Sequence, residues 1–242
     1  MKIHLTVLIP VYNEQDTISR VIVKVLQHNP DLHEILVVDD GSQDDTCKIV
    51  RKIAKENPKV KLIQHEQNQG KTAALKTGIS QSAGNVIIIQ DADLEYDPSE
   101  IGRLLEPIRD DIADVVYGSR FLVRKATRVL YYRHYFANKL ITTLSNIFTD
   151  LNMTDVETGY KAFRAELIKN MIITSKGFGF EIEVTAKLSK LKCRIYEVPI
   201  SYYGRTYAEG KKIGFKDGLQ AIIYVFKYNL FTSLKNSFLD TV

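Results

Sequence analysis

The first half of the chain alternates short apolar runs with segments of helical period, and that rhythm leaves few folds open. Leu5–Pro10 (LTVLIP), Glu34–Asp39 (EILVVD), Val60–Gln64, Asn85–Gln90 (NVIIIQ) and Asp114–Tyr117 each read as a buried strand. Between them Gln15–His28 carries Ile18, Val21, Ile22, Val25 and Leu26 at helical spacing. Asp44–Glu56 does the same with Cys47, Ile49, Val50 and Ile53, and Gln69–Ser80 and Pro98–Ile108 complete the series. Such alternation predicts an α/β fold, a mostly parallel sheet with helices on both faces. Sheets of this kind bind ligands outside the carboxyl ends of their strands. Here the strands end in polar residues: Asn13-Glu14, Asp39-Asp40, His65, Asp91-Ala92-Asp93 and Gly118-Ser119-Arg120.

The second half is less regular. Tyr131–Phe148 reads as an amphipathic helix, Asp155–Arg164 as a loop entering a short strand, and Phe180–Leu191 as a helix. Ile195–Ile200 is extended and broken by Pro199, Ser201–Gly214 is polar and reads as a mobile loop, and Phe215–Phe238 reads as an aromatic-rich helix. No repeat, low-complexity tract or linker divides the 242 residues, so one domain is expected. Two cysteines, Cys47 and Cys193, exclude a disulfide framework and a cysteine metal site, and fit a reducing, cytoplasmic compartment. The N-terminus runs straight into a strand, so no signal peptide is expected. Apolar stretches such as Leu219 to Phe226 fall short of the ~20 residues of a spanning helix.

Asp91-Ala92-Asp93 is the sharpest chemical feature. It follows an apolar strand, so both carboxylates stand at the sheet's carboxyl edge, where oxygen ligands suit a hard divalent cation, Mg²⁺ or Mn²⁺. Such an ion would neutralise a diphosphate leaving group, with Glu95 as a third ligand. A plain turn is the alternative for a bare D-x-D. Pro10-Val11-Tyr12-Asn13-Glu14 and Val38-Asp39-Asp40-Gly41-Ser42 close the first two strands. An Asp there suits a base N–H or a ribose hydroxyl, and Tyr12 could pack on the base. Asn68-Gln69-Gly70-Lys71 opens a helix whose N–H groups and Lys71 could face a phosphate, although a solvated lysine is as natural there. Neither G-x-G-x-x-G nor G-x-x-x-x-G-K-[ST] is present, so dinucleotide and P-loop readings lose their support.

The ordered set PVYNE, VDDGS, NQGKTAAL, QDADLEYDP, GSR, DVETGYKAFR, FGFEIE and R-x-x-x-E-G-K after VPI resembles family 2 glycosyltransferases of the GT-A fold. Within them it is similar to the dolichyl-phosphate mannosyl- and glucosyltransferase branch, over about residues 5 to 220. The resemblance implies an inverting transferase that moves mannose or glucose from a GDP- or UDP-sugar to a polyprenyl or dolichyl phosphate. It implies residues 1–118 as the nucleotide-sugar half, 119–214 as the acceptor half and 215–242 as a C-terminal amphipathic helix. Pro10, Tyr12, Glu14 and Asp39 match nucleoside-contacting positions, with Lys71 close by, and Asp91, Asp93 and Glu95 match metal and diphosphate positions. Arg120 matches an arginine near the phosphates, Arg133 a ligand of the acceptor phosphate, and Arg205 and Lys211 a basic pair in the acceptor loop. Three positions depart from the pattern: Glu95 stands where Gln is common, Ala208 where Gly is usual and Gly210 where Ser is usual. A phosphate acceptor is already a nucleophile and needs positive charge rather than a base. A hydroxyl acceptor, on a polysaccharide or protein, would need a carboxylate base, for which Asp155 is available. A non-catalytic nucleotide-sugar-binding protein is the remaining alternative.

The formal charge of +4 is unevenly placed. Val115–Thr149 holds six basic residues (Arg120, Arg124, Lys125, Arg128, Arg133 and Lys139) and no acid, leaving 27 basic against 29 acidic residues elsewhere. Interleaved with Phe121, Tyr131, Tyr132, Tyr135 and Phe136, this segment suits anionic lipid headgroups or a lipid phosphate. No RNA-binding motif accompanies it, so a nucleic-acid partner is not expected. The last helix reads equally as an interfacial helix and as one docked on the protein or on a second copy. The expected setting is peripheral, on the cytoplasmic face of a membrane, through a surface helix or an anchoring partner.

Overall fold

The computed structural model describes residues 1–122, 131–206 and 214–239. Seven strands form one sheet in the order β3-β2-β1-β4-β6-β5-β7. They are β1 Leu5–Val11, β2 Leu32–Asp39, β3 Val60–Gln64, β4 Val86–Ile89, β5 Val115–Ser119, β6 Lys161–Arg164 and β7 Ile195–Pro199. The pairs β1–β2, β2–β3, β1–β4 and β5–β7 are parallel, while β6 runs antiparallel between β4 and β5. The sheet is therefore mixed but mostly parallel. Pro199 ends β7, an edge strand, where its missing N–H costs no ladder bond.

The helices are α1 Ile18–His28, α2 Thr46–Glu56, α3 Lys71–Gln81, α4 Ile101–Arg109, α5 Tyr132–Thr149, α6 Ala165–Lys169, α7 Phe180–Leu191 and α8 Phe215–Leu230. A single 3₁₀ turn, Pro98–Glu100, precedes α4. The apolar residues of β1, β2 and β4 point to both faces and join two cores, one beneath α1 and α4 and one beneath α3 and α7. Glu34 on β2 is a buried acid within the sheet, and its carboxylate is well served: it accepts from Thr6 Oγ1, Lys61 Nζ and the Ala83 N–H. Those bonds hold its carboxyl below the usual range against the burial that would raise it.

Two predicted boundaries are corrected. The last helix stops at Leu230 rather than Phe238, and the chain then turns so that Phe238 bridges Met171. Of the polar 201–214 segment, residues 207–213 lie outside the described residues, but 201–206 are tied down rather than loose. Ser201 donates its N–H and hydroxyl to Glu100, Tyr203 N–H donates to Glu95 O, and Tyr202 bridges Tyr96. One face of α8 is docked on the protein, and the opposite face is open. Ala221, Tyr224, Val225 and Tyr228 are buried on α5 and α7, while Leu219, Ile223, Phe226 and Leu230 remain exposed.

Candidate active site

The strand order reverses between β1 and β4, so their carboxyl ends splay around a crevice, the place where this class of sheet takes its ligand. A cavity of about 1410 Å³ opens there. Its inner wall holds Pro10 in the last residues of β1, Tyr12 and Glu14 just after it, Lys71 at the start of α3, and Asp91, Asp93 and Glu95 after β4. It runs on past Arg120 to Arg133 and Phe136 of α5 and to Leu219 and Ile222 of α8.

Local chemistry builds this wall. Asp40 accepts from the N–H groups of Gln69 (3.0 Å) and Gly70 (2.7 Å) and pairs with His65 Nδ1 (2.7 Å), so the loop before α3 is pinned to the tip of β2. Gly41 (φ +75°) allows the close approach: a Cβ there would lie 2.8 Å from the Gln67 carbonyl carbon. Asp39, predicted at a nucleoside-contacting position, is buried behind the cavity wall. Its Oδ1 accepts from the Ser42 hydroxyl, and its Oδ2 is buried with no hydrogen-bond partner.

The D-x-D loop is turned by Leu94, whose φ of +63° is rare for a branched side chain and directs the flanking carboxylates of Asp93 and Glu95. Two cations hold the acids. Lys71 Nζ stands 2.9 Å from Asp91 Oδ1 and 3.3 Å from Glu181 Oε1. Burial alone would lower its pKa, but the two carboxylates outweigh burial and hold it well above the usual lysine value. Arg205 gathers three acids from separate parts of the chain: Nη2 donates to Asp93 Oδ2 (2.9 Å), Nη1 to Glu14 Oε1 (3.4 Å) and Nε to Glu95 Oε1 (3.4 Å). Its own N–H also donates to Glu95 (2.9 Å), and Tyr202 donates to the other Glu95 oxygen (2.7 Å). Burial, then the charges of Asp91 and Glu95, push the Asp93 carboxyl up to about 7 despite Arg205.

The predicted metal ligands are thus adjacent, but they do not converge on one point. Among the described residues no three His, Cys, Asp or Glu side chains are set to hold an ion. Asp91 faces Lys71, whereas Asp93 and Glu95 face Arg205. The donor chemistry still fits a hard divalent cation, since every group is a carboxylate and their crowding already raises Asp93.

Arg120 is locked to Asp155. Its Nε and Nη2 donate to the two Asp155 oxygens at 2.7 Å each, its backbone N–H adds a third bond, and its guanidinium lies 5.2 Å from the Tyr202 ring centre. Asp155 is fully buried and both its oxygens are engaged, which removes it as a free general base. Arg133 lies over the Tyr131 ring at 5.4 Å. Lys139 reaches Thr154 O (3.3 Å) and the Phe121 ring. Lys211, Arg124, Lys125 and Arg128 lie outside the described residues.

Four participants had no role in the sequence reading: Tyr96, Tyr202, Glu181 and Glu157. Tyr96 accepts from the Gly159 N–H (3.0 Å) and stacks on Tyr160. Glu157 lines the cavity with its Oε1 buried and unpartnered. Burial and then Glu181 push its carboxyl up to about 7. DVETGYKAFR and FGFEIE held Glu157 and Glu181, but no spacing rule connects these segments to residue 91.

The sheet order, the antiparallel β6 and the crevice at the β1–β4 switch define the GT-A class of α/β proteins. Residues 6–172 match the family model for glycosyl transferase family 2, and the chain belongs to that family. It is 30% identical over 238 residues to the undecaprenyl-phosphate mannosyltransferase of Micrococcus luteus, covering 92% of this chain and 93% of that one. It is likewise 30% identical over 215 residues to the polyprenol monophosphomannose synthase of Mycolicibacterium smegmatis, covering 86% and 80%. Glucosyl-3-phosphoglycerate synthase of Mycobacterium tuberculosis, solved with Mn²⁺, uridine diphosphate and phosphoglyceric acid, superposes with a TM-score of 0.73. That match is at 21% identity and covers 94% of this chain and 79% of that one.

Proposed function

We propose that this chain is an inverting glycosyltransferase that moves a hexose, mannose or glucose, from a GDP- or UDP-sugar to a polyprenyl phosphate at a membrane surface. The observation that carries this reading is one continuous cavity with two unlike ends. Carboxylates and strand tips line one end, and Arg133 with the aromatic and apolar residues of α5 and α8 lines the other. The named bacterial relatives mannosylate polyprenyl phosphates, which supports the same acceptor class here.

In this reading Pro10, Tyr12, Glu14 and Asp39 receive the nucleoside. The orphaned Asp39 Oδ2 suits a base N–H or ribose hydroxyl that reaches behind the wall. Asp91, Asp93 and Glu95 would hold Mg²⁺ or Mn²⁺, which when bound neutralises the departing diphosphate. Lys71 sets the Asp91 carboxylate, and Arg205 sets Asp93 and Glu95. Arg133 receives the acceptor phosphate, aided by Arg120 and by Lys211 of the acceptor loop. A phosphate nucleophile needs no proton removed, in keeping with Asp155 being bound up by Arg120. A direct displacement then inverts the anomeric centre.

Among the described residues no helix is long and apolar enough to cross a membrane. The exposed faces of α5 and α8, with Tyr132, Phe136, Leu219, Ile223 and Phe231, support seating on a lipid surface, which in this reading is the cytoplasmic face of a membrane. A thermal-shift screen of GDP-mannose, UDP-glucose and their diphosphates, with and without Mn²⁺, tests the donor half. Stabilisation by one sugar nucleotide that depends on Mn²⁺ is expected, and indifference to all of them contradicts the reading.

A further inference from the structure

The turn 155–160 is held by buried hydrogen bonds from several parts of the chain. Lys161 is fully buried beneath it and donates through Nζ to the carbonyls of Val156 (3.2 Å) and Thr158, one on each side of Glu157. Val156 N–H donates to Thr142 Oγ1, and Gly159 N–H to the Tyr96 hydroxyl. The turn abuts the D-x-D residues so closely that a Cβ on Gly159 would lie 2.6 Å from Asp91 Oδ2 and 3.3 Å from Lys71 Nζ. Every group around Glu157 is thus committed: Asp155 to Arg120, Glu181 to Lys71, Lys161 to two carbonyls. The Glu157 Oε1 is buried, lines the same cavity, and accepts nothing. A rigid backbone that presents an unserved acceptor carries a desolvation penalty unless a ligand supplies the donor.

We infer that Glu157 is a specificity-determining residue that accepts hydrogen bonds from hydroxyl groups of the transferred sugar. The inference rests on the donor reading above and deepens it. Of the groups that reaction brings into the cavity, the diphosphate and the lipid phosphate are anionic, offer no donor to a carboxylate, and are assigned above to the metal acids and to Arg133. The nucleoside is assigned to the tips of β1 and β2. The hexose, neutral and rich in hydroxyl donors, remains, and it must lie next to the diphosphate and hence beside Asp91, which the Glu157 turn abuts. A bond from a hydroxyl to a carboxylate is charge-assisted, and a site built around one strongly rejects a sugar that lacks that hydroxyl.

The test is titration calorimetry with Mn²⁺ on the wild type and Glu157→Gln, using UDP, UDP-glucose, GDP and GDP-mannose, followed by monodeoxy analogues of whichever sugar nucleotide binds. Glu157→Gln should leave the affinity for the free diphosphate within about twofold and weaken the sugar nucleotide by roughly 10- to 100-fold. One deoxy analogue should bind wild type as weakly as it binds the variant, because the hydroxyl and the carboxylate form one interaction. The melting temperature of the variant should stay level or rise. Equal weakening of diphosphate and sugar nucleotide, no change in either, or a fall in melting temperature with loss of both would overturn the assignment. Unchanged binding with abolished transfer would overturn it too, and would mark Glu157 as a base for a hydroxyl acceptor. A wild type that binds none of the four probes would instead sink the donor reading, and the assignment with it.

Discussion

Arg205 donates to Asp93 Oδ2 at 2.9 Å, across 112 residues of sequence, and in doing so links the segment after β7 to the acids after β4. The same guanidinium reaches Glu14 and Glu95, so one arginine balances three carboxylates where a divalent cation is proposed to act. An internal cation on these oxygens competes with an external one. Arg205→Gln should therefore bind Mn²⁺ more tightly in the absence of nucleotide, by about tenfold, the scale of one close charge pair. It should also transfer sugar at least ~100-fold more slowly, since a charge near the leaving group is lost. Electron paramagnetic resonance of free Mn²⁺ measures the first effect. Weaker metal binding by the variant would show that Arg205 helps to build the metal site instead of opposing it.

Gly159 has no room for a side chain. Alanine there would press its methyl within 2.6 Å of Asp91 Oδ2 and displace the Asp91–Lys71 pair. Gly159→Ala is expected to lose most activity, while alanine at the half-buried Gly102 of α4, which has nothing within 4 Å of a Cβ, should be silent on activity. Steady-state rates of the two variants, with circular dichroism to verify folding, check this contrast.

The Arg120–Asp155 pair is buried and bidentate, so removing one partner strands the other charge. Asp155→Ala should cost about 3–5 kcal/mol in urea denaturation. If Asp155 were instead a base idle in the fold, stability would hardly change and only the rate would fall. The measured split between stability and rate decides which role it has.

The strand–helix half of the fold was legible because each buried strand is a short apolar run with a polar tip, and period alone locates those tips. The antiparallel β6 was legible only as a short strand, because Lys161–Arg164 carries no period that shows direction. The end of α8 at Leu230 was missed because neither Gly nor Pro follows it, and Phe231, Leu234 and Phe238 fall at spacings that a continuing helix would also show. The D-x-D acids and Arg205 were each legible as motifs, but their mutual pairing was not, since charge attraction across 112 residues leaves no spacing signature. Glu157 was invisible for a related reason: an orphaned acceptor exists only once a fold has buried it.

Glu157 also makes a pH prediction. Its folded carboxyl sits near 7 against an ordinary value of 4.5, so between those values the native state binds more protons than the unfolded chain. Stability from this group is intact below about pH 4.5 and declines as pH rises toward 7, by at most about 3 kcal/mol. Glu157→Gln should remove that slope. Urea melts of both proteins at pH 5 and pH 8 measure it, and parallel losses in the two proteins would contradict the raised pKa.

The membrane face is testable without the chemistry. Phe136, Ile223 and Phe231 are 57%, 57% and 81% exposed on or just after α5 and α8. Burying such side chains in lipid is worth about 1.5–3 kcal/mol each. Changing Ile223 and Phe231 to Glu should cut co-sedimentation with anionic vesicles by well over tenfold and leave the melting temperature unchanged. Undiminished vesicle binding would place the membrane contact elsewhere.

The central claim is that sugar passes from a nucleotide to a lipid phosphate. Its most direct test follows radiolabel from GDP-mannose and from UDP-glucose in the presence of Mn²⁺, with and without polyprenyl phosphate. Label from one donor should move into the organic phase only when the lipid phosphate is present, and Asp93→Ala should abolish the transfer. Label in a water-soluble glycan, or no transfer from any sugar nucleotide to the lipid, would contradict the account.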